Sequence, residues 1–262
     1  MEAIVEKLLT SLKEAPIDSS VRKDLVLKIN ALCEKYSPNK NWYVRTMNKL
    51  YEMGGDLITP DLSNKFISSI CEYEKEIDGD KFRDSTIKIY LKILKKNPNI
   101  PDSLLQVISW IMGEYGAKLV NQKKMIKIID NLCNAAYRTL EDELTRSYII
   151  SAITKLQCSL SFPAHQKVED VMVDYLQSKH IDVQQRAIEY KQIKENFGVM
   201  GGSGKDILLN TPLNEQHIFS QGFDYELTFL DNFVAQQLEE GRRPYDKKRS
   251  QMAQDHAQEI VA

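Results

Sequence analysis

Glycine and proline are scarce in this sequence, with 11 glycines and 8 prolines among 262 residues. Proteins on average use these two residue types at ~12% of positions, so the scarcity argues against a turn-rich all-β fold and against a mostly disordered chain. Long apolar runs are missing as well. Uncharged stretches such as 103–113 fall far short of the ~18 residues that suggest a membrane helix. The composition therefore favours a folded, helix-rich chain without a membrane span.

Signals of export, disulfide bonding and nucleic-acid binding are also lacking. The N-terminus is acidic where a signal peptide has a basic start and an apolar run, so we expect a cytosolic protein. The 35 basic and 37 acidic residues give a net charge of −2, so we expect no nucleic-acid partner. The cysteines are far apart within apolar helical patterns, which favours buried free thiols over metal ligands. They are Cys33, Cys71, Cys133 and Cys158.

Apolar residues recur at helical spacing through the first 196 residues. Steps of three and four, such as those joining Val21, Leu25, Ile29 and Leu32, predict α-helices. The predicted helices cover 2–15, 19–36, 41–53, 61–75, 80–96, 101–114, 121–138, 141–158, 165–178 and 182–195. They form pairs that begin at 2, 41, 80, 121 and 165, which is 39 to 44 residues apart. HEAT and armadillo repeats have periods of ~40–47 residues.

This period predicts an all-α fold, an α-solenoid of HEAT/armadillo-like helical hairpins. One hairpin cannot bury its own apolar face, whereas stacked hairpins share a continuous core. We assign residues 1–197 to the solenoid and the glycine-rich 198–223 to a flexible linker. Apolar spacing returns in 224–241, which we predict to be one terminal helix, and the polar 242–262 is expected to be a disordered tail.

The segments that could support catalysis lack the residue spacing that catalytic or ligand-binding motifs require. The glycine-rich loop 198–204 is not a phosphate-binding loop, because Val199 and Asp206 stand where that motif needs glycine and a hydroxyl residue. The acidic run 72–80 lacks the spacing of a calcium loop, and the histidines are scattered. We therefore predict no enzyme activity, no metal and no cofactor.

One segment is strongly basic. Between residues 81 and 127 there are ten bases and three acids. Lys88, Lys92 and Lys95 share a helical stripe, with Lys96 beside them. The simplest interpretation is a solvated helix face, and the alternative is contact with an acidic partner or an anionic membrane surface.

Several motifs together resemble the adaptins, the large subunits of clathrin-adaptor complexes. The segment 110–116 is similar to their W-x-x-G-E-Y-G signature, and 182–190 is similar to their Q-Q-R-A-x-E-Y helix. Segments 42–50 and 227–245 resemble two further adaptin helices, in the same order along the chain. The residues carrying the two main motifs are Trp110, Gly113, Glu114, Tyr115, Gly116, Asp182, Gln185, Arg186, Ala187 and Tyr190.

Physical chemistry assigns these motif residues structural roles. Trp110 is large enough to fill the gap between stacked hairpins, and Gly113 allows two helices to approach closely. Gly116 is expected to take the positive φ of a helix stop. Asp182 and Gln185 have the spacing of a capping box, and Ala187 is expected to permit tight packing.

The resemblance implies the C-terminal part of an adaptin trunk, most like the epsilon type and then the gamma and alpha types. It implies a non-enzymatic scaffold that pairs with a second large, a medium and a small subunit. Such complexes act at Golgi or endosomal membranes in vesicle transport under Arf-family GTPase control. The amino-terminal trunk and the ear of a whole adaptin are expected to lie outside this sequence. The alternatives are another HEAT scaffold, such as a coatomer large subunit, and an enzyme whose site is assembled in space.

Overall fold

A computed structural model describes residues 2–14, 19–71, 78–97, 99–160, 164–196 and 230–242. Within these ranges it contains eleven α-helices, one turn of 3-10 helix and no strand. The chain divides into two compact units, Met1–Thr211 and Pro212–Ala262. The all-α prediction is therefore confirmed.

Ten helices form the first unit. They are α1 Glu2–Glu14, α2 Ser19–Tyr36, α3 Lys40–Gly54, α4 Pro60–Cys71, α5 Gly79–Lys96, α6 Asp102–Leu119, α7 Gln122–Ala136, α8 Glu143–Leu160, α9 Gln166–Leu176 and α10 Ile181–Asn196. Most bounds agree with the predicted ones to within a few residues. The clearest difference is α6, which continues five residues beyond its predicted end.

Local sequence explains where several helices begin and end. The side chain of Asn39 accepts a hydrogen bond from the Trp42 amide at 2.9 Å, and Asn121 does the same for Lys124 at 3.0 Å. The predicted stop after α3 is confirmed, because Gly55 has φ +49° and its amide bonds back to the Tyr51 carbonyl. Two asparagine caps and one glycine thus mark helix ends at points where the helical spacing of apolar residues is interrupted.

The helices of the first unit stack in two layers. The first helices of successive hairpins contact one another in the order α1, α3, α5, α7 and α9. In the other layer α4, α6, α8 and α10 contact in turn, and α6 has its most extensive packing with α8. This arrangement is the expected α-solenoid, in which each hairpin covers the apolar face of its neighbour.

One continuous core runs through the stack, from Val5 in α1 to Tyr190 in α10. Ile29 is fully buried, as its spacing predicts, but Val21 is 54% exposed because it lies at the solvent side of the first turn of α2. Cys33, Cys133 and Cys158 are buried free thiols, and Cys71 is half-buried. Burial raises the pKa of Cys133 to about 12, so its thiol is a packing group rather than a nucleophile.

Neither a membrane span nor a metal cluster is found in the part of the chain that the structure describes. No helix there combines the length and apolarity needed to cross a bilayer. Among the described residues, no group of three or more histidine, cysteine, aspartate or glutamate side chains is placed to hold a metal ion.

The described part of the second unit is one helix, α11, Asp231–Glu239. It lies inside the predicted terminal helix and ends before Gly241, which has φ +87°. Leu230, Phe233 and Leu238 are exposed along it. The predicted linker and almost all of the predicted tail lie outside the described residues, as do 224–229.

Candidate functional site

The seam between α6 and α8 is where the first predicted motif lies, and Gly113 determines how close these helices come. A Cβ atom at position 113 would lie 2.8 Å from the Cα of Ala152 and 3.0 Å from its Cβ. Such distances are below ordinary contact, so only glycine fits opposite alanine here. The prediction of close helix approach at Gly113 is confirmed.

Gly116 lies one turn further along the same seam, and its predicted role as a helix stop is wrong. It is an interior residue of α6, and positive φ among the described glycines occurs at Gly55 and Gly241. A Cβ at position 116 would meet the Leu156 side chain at 2.8 Å. Packing against α8 keeps the helix continuous, because burial of this face compensates the low helix propensity of glycine.

Trp110 lies at the open side of the seam. It is only partly buried, so the expectation that it fills the gap between hairpins must be corrected. Its ring meets Tyr115 edge-to-face, with centroids 6.2 Å apart. Beside it, Glu114 forms an ion pair with Lys155 of α8. The motif thus contributes the partly buried Trp110 ring at the edge of the seam and an ion pair between α6 and α8.

Tyr115 is the motif residue that reaches the other layer. It is 4% exposed, and the guanidinium of the buried Arg83 in α5 lies 4.8 Å from its ring centroid. The same guanidinium donates to Asp80 at 2.6 Å. A desolvated cation over an aromatic face is a favourable contact, so Tyr115 links α6 to α5.

The second motif lies in α10 and bonds to α8. The predicted capping box is wrong, because α10 begins at Ile181 and Asp182 already lies inside its first turn. The Asp182 carboxylate accepts hydrogen bonds from the hydroxyl of Ser147 and from Arg186, while Gln185 donates to Glu189 at 2.9 Å. The Asp182 carboxylate thus bonds to side chains, one of them on α8, rather than to the backbone amides of its own helix.

Hydrogen bonds from Arg186 and Ser147 lower the pKa of Asp182. A carboxylate with a lowered pKa stabilises the fold above its ordinary titration range and loses that contribution as the pH falls through its folded value. Because this side chain is 55% exposed, solvent screens the effect and the contribution is small.

Three further residues of α10 form its buried stripe. Val183, Ala187 and Tyr190 are each at most 1% exposed, at spacings of four and three. The tight packing predicted for Ala187 is confirmed by this burial. The hydroxyl of Tyr190 donates to Glu169 of α9 at 3.2 Å.

The two motifs meet at a recess of about 260 Å³ on the layer formed by α6, α8 and α10. Its lining includes the close pair Gly113 and Ala152 and the aromatic rings of Trp110 and Tyr148. Arg186 lines it too and donates to Ser151 at 2.8 Å. Ser147, Ser151, Lys155 and Arg186 form helix-to-helix bonds, whereas the enclosed hydroxyl of Ser109 has no partner among the described residues. The four bonded side chains suit a rigid frame better than a reaction centre.

Sequence reasoning missed Arg83 of α5, which contacts Tyr115, and three residues of α8. The three are Ser147, Ser151 and Lys155, which bond respectively to Asp182, Arg186 and Glu114. Their spacing of four and four residues was a usable signal, since it draws one polar stripe along an otherwise apolar helix.

The predicted basic stripe is on α5, in the opposite layer, and the structure does not bring it to the recess. Lys88, Lys92, Lys95 and Lys96 are exposed. Lys88 forms an ion pair with Asp84 one turn earlier. Ile87 and Leu94 beside them are buried, and Leu91 is half-buried.

Comparison with known proteins bears on these motifs directly. Residues 1–196 match the family described as adaptin N terminal region. The chain belongs to the adaptin family. It is 31% identical over 262 residues to the human AP-4 complex subunit epsilon-1, covering 98% of this chain and 22% of that protein.

Other adaptins are similar over shorter or equal stretches. The Arabidopsis thaliana AP-4 complex subunit epsilon is 27% identical over 258 residues, which is 95% of this adaptin chain and 26% of the relative. The Arabidopsis AP-1 complex subunit gamma-1 is 30% identical over 186 residues, 67% of this chain and 20% of the relative. The chain thus spans about a quarter or less of these relatives, and the epsilon-type resemblance is confirmed.

Partial burial changes what we expect from replacing Trp110. Removing a fully buried tryptophan costs ~3–5 kcal/mol, and the exposed part of this ring contributes little. We expect Trp110→Ala to lower the free energy of unfolding of this adaptin chain by about 2 kcal/mol. Urea unfolding followed by circular dichroism measures it. A loss within the fully buried range of ~3–5 kcal/mol would mean instead that the ring is covered in solution.

Proposed function

We propose that this chain is a non-enzymatic scaffold segment of the large subunit of a heterotetrameric adaptor complex that acts in vesicle-mediated protein transport. Membership of the adaptin family supports the assignment. Relatives named as AP-4 epsilon, AP-1 gamma and AP-2 alpha subunits support it too.

The observation that carries the proposal is that the motif residues form contacts between helices. Gly113 fixes the distance between two helices, while Glu114 and Asp182 each hold α8 from a neighbouring helix. When the residues of a family signature form contacts between helices, they preserve the shape of the surface that those helices present. A scaffold that presents fixed surfaces to several subunits needs that property.

The partners under this proposal are a second large subunit, a medium subunit and a small subunit. The complex would lie in the cytoplasm and bind Golgi or endosomal membranes peripherally, with an Arf-family GTPase controlling recruitment. The solenoid assignment for 1–197 and the terminal helix in 224–241 are parts of the same proposal.

Affinity purification tests the partner assignment. The tagged 262-residue chain is purified from a eukaryotic cell extract, and co-purifying proteins are identified by mass spectrometry against a tag-only control. We expect the medium, small and second large adaptor subunits, with more Arf recovered when a non-hydrolysable GTP analogue is added. Enrichment of coatomer subunits instead would favour the coatomer alternative, and a nucleotide or metal ion bound in calorimetry would favour an enzyme.

The basic stripe is a separate part of the proposal, in which Lys88, Lys92 and Lys95 contact an anionic membrane surface. Each base near such a surface contributes ~1 kcal/mol, and the contribution is screened over ~8 Å at physiological salt. We expect the chain to co-sediment with phosphoinositide liposomes at low salt, and Lys→Glu reversal of all three residues to abolish this binding.

The matched control for the stripe reverses three exposed lysines elsewhere, Lys7, Lys13 and Lys23 of α1 and α2. It changes the net charge equally, so it should retain most of the binding if the stripe is specific. If liposome binding survives the charge reversal of the stripe, or is lost equally in the control, the stripe is only a solvated helix face.

A further inference from the structure

The turn between α2 and α3 contains a short motif at the surface of the folded chain. Residues 37–40 read Ser-Pro-Asn-Lys, so a hydroxyl is followed at once by proline and, two residues later, by a base. The first three of these residues lie between the two helices, and Lys40 is the first residue of α3. Pro38 and Asn39 are exposed, and Ser37 is half-buried. An enzyme that acts on hydroxyl groups can therefore approach this turn.

The backbone of the turn is extended rather than helical. Asn39 has φ −160° and ψ 162°. A proline disfavours the helical region for the residue before it, which here is Ser37. The ring of Pro38 restricts its own φ to about −65°, a value that extended polyproline-like segments share. Protein kinases bind the chain around an acceptor hydroxyl in extended form, so this turn presents Ser37 in the conformation of a kinase substrate.

Proline directly after the hydroxyl favours one class of kinase. Proline has no backbone N–H, so it fits a pocket without a hydrogen-bond acceptor, where any other residue would leave its N–H unsatisfied. A base three positions after the hydroxyl can pair with an acidic group beside that pocket. A kinase that uses both features distinguishes Ser37 from other hydroxyl residues.

Thr59 and Pro60 provide the same pair of residue types in a different setting. Pro60 is the first residue of α4, and the carbonyl of Thr59 accepts a hydrogen bond from the amide of Leu62 at 3.0 Å. Leu62 stands where the motif has its base, and it is apolar and 5% exposed. The pair at 211–212 also lacks the base. Thr59 is therefore an internal comparison for Ser37.

We propose that Ser37 of the folded adaptin chain is phosphorylated by a proline-directed protein kinase that prefers a base at the third following position. The hydroxyl oxygen of Ser37 attacks the γ-phosphorus of ATP, and the bond from that phosphorus to the bridging oxygen breaks as ADP leaves. The hydroxyl proton passes to a carboxylate base of the kinase. The inference goes beyond the scaffold assignment and does not depend on which adaptor complex contains the chain.

The folded chain can accommodate the phosphate at this position. Ser37 lies two residues before Asn39, the N-cap of α3, and negative charge is favourable near the N-terminus of a helix. Within 34–40, Lys35 and Lys40 against Glu34 give a net charge of +1. The phosphate adds a charge of about −1.5 to −2 at neutral pH, so phosphorylation reverses the sign of the turn.

Phosphorylation of the 262-residue chain in vitro tests the proposal. The folded chain is incubated with ATP and a recombinant cyclin-dependent kinase, which belongs to the proline-directed class, and the phosphopeptides are mapped by mass spectrometry. We expect phosphate on Ser37, none on Thr59, and none at position 37 in Ser37→Ala. Urea unfolding of the phosphorylated chain should give a midpoint no lower than that of the unmodified chain.

Substitution of the two flanking lysines shows whether the kinase reads the base. Lys40→Gln should lower kcat/KM for phosphorylation about tenfold, because one charge pair with the kinase is lost, and Lys40→Arg should retain most of the activity. The matched control is Lys35→Gln, which removes the same charge from an exposed residue before Ser37 and should leave the rate unchanged. No phosphate on Ser37, equal losses in the two glutamine variants, modification of Thr59 at a similar rate, or a lower urea midpoint after phosphorylation would each overturn the proposal.

Discussion

Replacing Tyr190 by alanine is expected to lower the free energy of unfolding by about 3–5 kcal/mol, as for other large buried aromatic side chains. Tyr190 is 1% exposed and is among the largest fully buried side chains of the first unit. The substitution leaves a cavity between α9 and α10, and it also removes the donor to Glu169. Urea unfolding monitored by circular dichroism gives the change directly.

The conservative variant separates packing from hydrogen bonding. Tyr190→Phe keeps the ring and removes only the hydroxyl, while Lys194 continues to pair with Glu169 at 2.6 Å. We expect this variant to cost about 1 kcal/mol. If alanine and phenylalanine are equally destabilising, the hydroxyl rather than the ring carries the effect, and the packing argument for α10 fails.

Tyr190 illustrates which part of the structure sequence reasoning can supply. Its burial follows from its spacing of three and seven residues from Ala187 and Val183, because an α-helix places these positions on one face. Its hydrogen-bond partner does not follow, since Glu169 lies on another helix and no local period relates the two. Periodicity identifies the buried face of a helix but not the polar group that meets it.

The same limit explains two of the three errors in the motifs. A glycine late in an apolar run commonly ends a helix, so Gly116 suggested a stop, yet contact with Leu156 of α8 keeps it inside the helix. Asp182 and Gln185 have capping-box spacing, yet the Asp182 carboxylate accepts a hydrogen bond from Ser147, 35 residues earlier, instead of capping its helix. In each case a partner from α8 decides the outcome.

The recess was beyond prediction for a related reason. It combines side chains from three helices, and only stacking fixes which of them converge. The 40-residue period could have suggested that Arg186 lies near Ser147 and Ser151, because equivalent helices of adjacent hairpins are neighbours. It could not have shown that Nη1 of Arg138 is enclosed, since that depends on the turn after α7 packing on the end of α5.

Gly113→Ala carries the second large effect, and it tests the feature that distinguishes the adaptin seam. The added Cβ would lie 2.8 Å from the Ala152 Cα, a backbone atom that cannot rotate away. Overpacking costs ~1–3 kcal/mol and sometimes more, while alanine gains ~1 kcal/mol over glycine in a helix. We expect a net loss of about 2 kcal/mol, measured as a shift of the urea midpoint.

Gly116→Ala is the matched control for this overpacking. It makes the same change one turn along the same helix, but its Cβ would meet side-chain methyl groups only, that of Leu156 at 2.8 Å and that of Ile128 at 3.5 Å, and another rotamer of Leu156 can relieve the close contact. The helix-propensity gain then offsets the remaining strain, so stability should stay within about 1 kcal/mol of the wild type. Equal losses at 113 and 116 would indicate a general intolerance of α6 to alanine. A clear loss at 113 alone would show that the backbones of α6 and α8 are in contact in solution, which is the geometry that positions every residue of the recess between them.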